Sequence, residues 1–349
     1  MPKLDADKMA AIRKVIKSKG LEAFILTDYN DIKYIMGPVF QPEEAVMIIH
    51  PKGVYVTARA LYEAPVAADF PEIKIEGCDK DRDVKTVAAV KKLKLKKVGF
   101  DAKKESYHSG KIYVEAGFVP QEDFMSPIRC AKTEDELKKM KAAAKIAYKT
   151  YEHMAAWIEP GVTEKQAAEE LDSFMKKNGA EGCSFDTIIA FGPNTGNPHY
   201  CTGGVKLKKN MPVLMDFGCV YKGYCSDITR TFWFGDKPSA EFLEIYNIVK
   251  SAHDEVVEKA VFGQSGAEID AISRSYIEAA GYGKYFTHRT GHGIGMQVHE
   301  EACISQDNDN PILENYCFSV EPGIYLTGKF GVRYEDCFYM TKKGIKQIK

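Results

Sequence analysis

The sequence predicts an α+β protein in which a small α/β domain precedes a larger domain of helices and antiparallel strands. Short apolar runs at 23–26, 46–49 and 54–56 alternate with polar stretches that suit helices, as is typical of a small α/β domain. Longer amphipathic helices and strand-like segments follow. The 349 residues also suffice for two domains of about 150 residues each. We assign residues 1–125 to the first domain and 126–349 to the second.

The predicted helices are recognised by apolar spacing and by start signals. Residues 5–18 carry apolar side chains at helical intervals. Thr133 with Glu136, and Thr163 with Gln166, form capping boxes, in which both side chains satisfy free backbone N–H groups. Further predicted elements are helices at 239–261 and 267–281 and strands at 184–191, 212–220, 229–234, 316–321 and 335–341. Two helix pairs around a curved antiparallel sheet fit this order, and the strand pairing stays open.

The composition excludes several classes of protein. The 48 basic and 49 acidic residues leave a net charge of −1, so no overall field favours nucleic acid or an anionic membrane. The first residues lack the apolar stretch of a signal peptide, and no run approaches 18 apolar residues. The nine cysteines include no CxxC pair and are interpreted as reduced thiols. We expect a soluble, cytoplasmic protein that binds no nucleic acid and no membrane.

One stretch of the sequence contributes a pair of aspartates, and a second contributes three histidines. In MDFGCVYKGYCSDITRTFWF, Asp216 and Asp227 lie in strand-like runs, and a hairpin could bring their carboxylates together. Two such carboxylates repel unless a cation lies between them. In HRTGHGIGMQVHE, His288, His292 and His299 lie among glycines that let backbone and metal approach closely. Taken alone, the acidic pair would fit a simple turn, and a single histidine would fit a core position.

The third stretch, FSVEPGIYLTGKFGVRYEDCF, adds two glutamates. Glu321 ends an apolar strand, where a buried carboxylate needs a partner. Glu335 follows Arg333, and taken alone it would fit a surface ion-pair network. The three stretches together provide four carboxylates and one imidazole. This donor set suits two divalent cations of the Mn, Co, Fe or Zn kind and not a thiolate zinc site, and such a pair of ions can activate a shared hydroxide.

These stretches resemble the metal-binding signatures of the pita-bread metallopeptidases (family M24), in the branch of the Xaa-Pro aminopeptidases and prolidases. The resemblance covers residues 130–349 with order and spacing preserved, and it extends weakly to residues 1–125, which are similar to a creatinase-type N-terminal domain. It implies a pita-bread catalytic domain, two divalent ions with manganese foremost, and a homodimer. The metal ligands that it implies are Asp216 for one ion, His292 and Glu321 for the other, and Asp227 and Glu335 as bridges.

The resemblance also implies a set of catalytic residues. His199, in the NPHY segment, and His299 would contact the substrate carbonyl or the tetrahedral intermediate. Arg333 would orient a bridging carboxylate, and His288 would lie behind the ligands. Glu321 would serve both as a ligand and in catalysis.

The substrate expected from the resemblance is a peptide with proline at its second position. Prolidases often carry an arginine a few residues after the VHE histidine, where this chain has Cys303, and GPNTGNPHY also departs from the usual approach to His199. Both departures favour aminopeptidase P-like use of longer peptides, with an Xaa-Pro dipeptidase as the alternative. Methionine aminopeptidases, metal-free creatinase-like hydrolases, metal-dependent lyases or amidohydrolases, and binding proteins without activity are the remaining hypotheses.

Overall fold

The computed structural model describes residues 4–349, and the chain divides into two compact units with the boundary after Ile128. The first unit contains one mixed sheet and five helices longer than a single turn. The helices are α1 (Ala6–Ser18), α2 (Tyr29–Met36), α3 (Glu63–Asp69), α4 (Arg82–Lys92) and α5 (Tyr107–Glu115). The strands are β1 (Ala23–Leu26), β2 (Ala45–His50), β3 (Gly53–Ala58), β4 (Ile73–Gly77), β5 (Val98–Asp101) and β6 (Val119–Gln121).

The sheet of the first unit has the strand order β4-β3-β2-β1-β5-β6. Strand β2 runs antiparallel to both of its neighbours, and the other adjacent strands are parallel. The apolar runs at 23–26, 46–49 and 54–56 lie within β1, β2 and β3 and are buried, because helices cover a sheet whose strands are apolar on both faces. The predicted α/β character of this part of the chain is confirmed.

The second unit combines long helices with antiparallel strands. After α6 (Ser126–Cys130), which spans the boundary, its helices are α7 (Glu134–Trp157), α8 (Glu164–Lys177), α9 (Ala240–Lys259) and α10 (Gly266–Ala279). Its first strands are β7 (Gly182–Cys183), β8 (Ile188–Phe191), β9 (Met211–Phe217), β10 (Cys219–Tyr221), β11 (Tyr224–Cys225) and β12 (Ile228–Phe234). The later strands are β13 (Gly291–Gly293), β14 (Glu300–Ile304), β15 (Cys317–Val320), β16 (Gly323–Leu326), β17 (Phe330–Arg333), β18 (Asp336–Thr341) and β19 (Gly344–Gln347).

The strand pairing, which the sequence left open, is antiparallel throughout the second unit. The sheets have the orders β12-β9-β8, β14-β13-β15-β18-β19 and β11-β10-β7, and β16 pairs with β17 as a hairpin. Both predicted capping boxes are present, at the starts of α7 and α8. A third, formed by Ser265 and Glu268 at the start of α10, was not anticipated.

At two glycines in the second unit, another segment of backbone passes too close to leave room for a side chain. The predicted strand 212–220 is interrupted at Gly218, where the backbone passes so close to Ser226 that a Cβ would lie 1.8 Å from its carbonyl oxygen. At Gly293 a Cβ would lie 1.4 Å from the carbonyl oxygen of Glu301. The space beside Gly293 is therefore used by the backbone of the neighbouring strand. The predicted strand 184–191 is also shorter than expected, since pairing in β8 begins at residue 188.

Within residues 4–349, no helix combines the length and the apolar character that crossing a bilayer requires. All nine cysteines are free thiols, as expected from the absence of paired cysteine motifs.

Candidate active site

The two aspartates are brought together by the hairpin of β9 and β12. Thr229 pairs with Asp216 in this antiparallel register, and Asp227 lies directly before β12. The short strands β10 and β11 form the excursion between them. Both carboxylates are buried. The predicted return of the second carboxylate to the side of the first is therefore confirmed.

His292 lies in β13 and turns one nitrogen towards the carboxylates. Its Nδ1 lies 3.0 Å from the carbonyl oxygen of Gly293, which can only accept, so Nδ1 carries the proton. Its Nε2 lies 3.3 Å from Glu321 Oε1 and 3.5 Å from Asp227 Oδ2. Ser319 Oγ accepts from the His292 N–H and donates to Glu321 Oε1. Burial lowers the pKa of His292 to about 4, so Nε2 offers a lone pair at neutral pH.

Glu335 lies directly before β18 and pairs with Thr229 of β12, which brings its carboxylate to the site. The Glu335 N–H donates to the Thr229 carbonyl, and Thr229 Oγ1 donates to Glu335 Oε2 at 2.6 Å. Arg333 Nε donates to Thr229 Oγ1 at 3.1 Å, and its Nη2 donates to Asp216 Oδ2. Arg333 thus contacts Asp216 directly and reaches Glu335, one of the two implied bridging carboxylates, through Thr229.

The acidic cluster contains buried oxygens that no described residue satisfies. Asp216 Oδ1, Asp227 Oδ1 and Glu335 Oε1 have no hydrogen-bond partner in the described part of the chain. Ligand atoms of Asp227, His292 and Glu335 all lie within 4.8 Å of one another. Burial, together with the charge of nearby carboxylates, raises the pKa values of Asp227 and Glu335 well above their usual range. Buried carboxylates in this state need protons or a cation, and the residues present fit a divalent metal ion.

A hydrogen-bonded chain lies behind the cluster and includes a residue that the sequence did not single out. Arg333 Nη1 donates to the Tyr325 hydroxyl at 2.8 Å. His288 Nδ1 lies 2.7 Å from the Arg289 carbonyl and therefore carries the proton. The Tyr325 hydroxyl consequently donates to His288 Nε2 at 2.8 Å. Sequence reasoning missed Tyr325 and Thr229, because neither contact is visible before the pairing of β16 with β17 and of Thr229 with Glu335 is known.

The carboxylates and His292 line a cleft of about 470 Å³. His199 and His299 are exposed and face this cleft, and the ring of His299 lies 4.4 Å from that of His292, measured between centroids. The apolar residues that line the cleft are Phe185, Ile188, Pro198 and Val298. The structure thus gathers all nine predicted site residues around one cavity, with the histidines at 199 and 299 outside the acidic cluster.

A buried carboxylate fixes the loop that carries His199. Glu164, at the start of α8, is fully buried and has no lysine or arginine as an ion-pair partner in the described chain. Its oxygens accept four hydrogen bonds, from the Phe191 and Gly203 N–H groups, the Asn194 amide and the Tyr200 hydroxyl. Several hydrogen bonds to one carboxylate stabilise its charge, so Glu164 can hold this loop rigidly.

The sequence model of metallopeptidase family M24 matches residues 138–342 of this chain. This range includes every residue that lines the cleft. The chain belongs to metallopeptidase family M24. The Creatinase/Prolidase N-terminal domain matches residues 8–130 of the same M24 chain. The predicted family and fold class are confirmed, and a metallopeptidase family implies the use of divalent metal ions.

Solved structures of M24 proteins resemble this chain over nearly its whole length. An Xaa-Pro dipeptidase from Bacillus anthracis is 35% identical, with a TM-score of 0.90 and coverage of 98% of this chain and 96% of that one. An X-Pro aminopeptidase from Thermotoga maritima is 31% identical, with a TM-score of 0.83 and coverage of 96% and 97%. A prolidase from Pyrococcus horikoshii is 30% identical, with a TM-score of 0.85 and coverage of 98% and 97%.

Proposed function

We propose that this M24 chain is a metal-dependent Xaa-Pro dipeptidase. The observation that carries the proposal is the group of buried, unsatisfied carboxylate oxygens at the floor of a cleft, which fits metal-dependent hydrolysis. The sequence analysis favoured an aminopeptidase P-like enzyme and kept the dipeptidase as its alternative. The relatives favour the alternative, since the proteins from Bacillus anthracis and Pyrococcus horikoshii are an Xaa-Pro dipeptidase and a prolidase.

The proposed metal ligands are the five residues that the resemblance implied. They are Asp216, Asp227, His292, Glu321 and Glu335. Divalent ions held there would supply Lewis acidity and lower the pKa of water. The oxygen-rich donor set makes Mn²⁺ the first ion to test, and two ions per chain is the expected number. The implied homodimer stays a prediction.

The chain's own residues supply proton transfer and hydrogen bonds. Ser319 holds Glu321 Oε1, while the second oxygen of the carboxylate is free to accept a proton from water and return it to the leaving proline nitrogen. Burial raises the pKa of the Glu321 carboxyl above its ordinary value, which favours the protonated form that returns the proton. His199 and His299 face the cleft and can donate hydrogen bonds to the scissile carbonyl oxygen as negative charge develops there.

The shape of the cleft also suits a short peptide that contains proline. A volume of about 470 Å³ lies within the range typical of small-molecule sites. The apolar side chains of Phe185, Ile188 and Val298 line the cleft and offer surface against which a pyrrolidine ring can be buried. A substrate much longer than a few residues would extend beyond this cavity.

The proposal is tested by metal analysis and by hydrolysis of Gly-Pro, Gly-Pro-Ala and Met-Ala after reconstitution with Mn²⁺. We expect about two equivalents of metal, hydrolysis of Gly-Pro, and little hydrolysis of Met-Ala. Asp227→Asn should abolish activity, because it removes one of the proposed ligand charges. Preference for Gly-Pro-Ala over Gly-Pro would support the aminopeptidase P-like alternative. Full activity without bound metal would exclude both.

A further inference from the structure

An Xaa-Pro dipeptide brings a free carboxylate into the cleft. The carboxyl carbon lies two bonds from the nitrogen of the scissile bond, so it must enter together with that bond. Two divalent ions would balance the four ligand carboxylates without leaving a surplus of positive charge, so a further carboxylate without its own counter-charge is unfavourable there. Cys303 offers no positive charge at the position where the resemblance to prolidases implies an arginine. A dipeptidase therefore needs a cation from elsewhere in the cleft.

Two residues with a permanent positive charge line the cleft among those the structure describes, Arg289 and Arg333. Arg333 is buried and fully engaged, because its guanidinium donates to Asp216, Thr229, Tyr325 and the Pro198 carbonyl. A substrate carboxylate could reach it only by displacing these contacts. Arg289 is exposed and forms no ion pair with any acidic residue in residues 4–349.

The guanidinium of Arg289 lies beside Cys303. Its Nη1 donates to Cys303 Sγ at 3.2 Å. Sulfur is a weak hydrogen-bond acceptor, so exchanging it for a carboxylate would give the guanidinium a stronger hydrogen bond. The backbone beneath Arg289 is held in place, because its carbonyl accepts from His288 and the pairing of Gly291 with Ile304 joins β13 to β14. A guanidinium from fourteen positions earlier in the chain therefore lies beside position 303.

We propose that Arg289 binds the free carboxylate of the dipeptide substrate and so selects dipeptides over longer peptides. This inference rests on the proposed dipeptidase function. A longer peptide places a neutral amide where the dipeptide has its carboxylate, and the fork of the guanidinium gains less from an amide than from a carboxylate.

The test compares L-alanyl-L-proline with L-alanyl-L-prolinamide, two substrates that differ in this one charge. The ratio of their kcat/KM values is measured for the wild-type enzyme and for Arg289→Gln and Arg289→Lys. We expect the ratio to fall about ten- to a hundredfold in Arg289→Gln, chiefly through KM for the dipeptide, and less in Arg289→Lys. Lys284→Gln is the matched control, because Lys284 is an exposed cation of the same unit that does not line the cleft.

A second measurement does not depend on turnover. Calorimetric binding of L-proline and L-prolinamide should show that Arg289→Gln weakens proline binding about tenfold or more and prolinamide binding much less. An unchanged substrate ratio in an active Arg289→Gln enzyme would overturn the inference and leave the dipeptidase proposal intact. Wild-type enzyme that hydrolyses neither substrate would overturn the proposed function, and this inference with it.

Discussion

Glu300 offers a sharp test of how the second unit is stabilised next to its cleft. Its side chain is buried, and its carboxylate accepts from Arg129 at 2.7 Å and from Lys132 at 2.8 Å. The Met296 N–H also donates to Glu300, so the same carboxylate fixes the segment that leads to His299. Glu300→Gln would keep the shape of the side chain and remove the charge that compensates two buried cations.

The expected loss of stability follows from the pKa of Glu300. Burial alone would raise this pKa, but Lys132 and Arg129 lower it from an ordinary value of 4.5 to about 2. That difference corresponds to about 3 kcal/mol of folding free energy at neutral pH. Removing the counter-charge beside the buried ammonium of Lys132 adds to the loss, so we expect Glu300→Gln to cost about 3–5 kcal/mol. Because the folded-state pKa is depressed, the contribution is complete above pH 4.5 and is lost as the pH falls towards 2.

Urea unfolding followed by tryptophan fluorescence measures the loss of folding free energy in the second unit, which contains Glu300. Both tryptophans, Trp157 and Trp233, lie in the second unit. Glu241→Gln is the control, since its ion pair with Lys329 is exposed and is expected to contribute less than about 1 kcal/mol. The difference between wild type and Glu300→Gln should shrink by about 1.4 kcal/mol between pH 7 and pH 3.5. A loss below 1 kcal/mol at pH 7, or a difference independent of pH, would refute the reasoning.

Three further predictions concern the site itself. Asp227→Asn should raise the urea-unfolding free energy of the metal-free protein at neutral pH, because a buried carboxyl with a raised pKa destabilises the fold at every pH above its pKa in the unfolded chain. His199→Ala and His299→Ala should each lower kcat by about 10²–10³ while metal analysis shows unchanged content; lost metal would mean that the residue is a ligand. Glu164→Ala should cost about 1–3 kcal/mol in urea unfolding, since it leaves the buried Phe191 N–H and three partly buried donors without their acceptor.

The elements predicted best are those whose signals lie close together in the sequence. The capping box of Thr133 and Glu136 is a local arrangement of hydrogen bonds, and the helix begins where it predicts. The pair of Asp216 and Asp227 is nearly as local, because a single hairpin joins the two strands that carry them. The order of acidic residues and histidines was therefore enough to indicate the family and a metal-binding chemistry.

Contacts between distant parts of the chain were decided only by the tertiary structure. Thr229 lies between Arg333 and Glu335 because a residue of β12 bridges to the start of β18, more than a hundred positions later. Tyr325 reaches Arg333 only once β16 and β17 fold into a hairpin, which the sequence left unassigned.

The question of substrate length shows the same division. The sequence by itself determined that position 303 lacks an arginine, since a residue's identity needs no fold to be known. It could not reveal that the guanidinium of Arg289 lies 3.2 Å from the sulfur of that cysteine. A charge acts through distance in space, and the distance between these side chains is set by the pairing of β13 with β14 rather than by their separation along the chain.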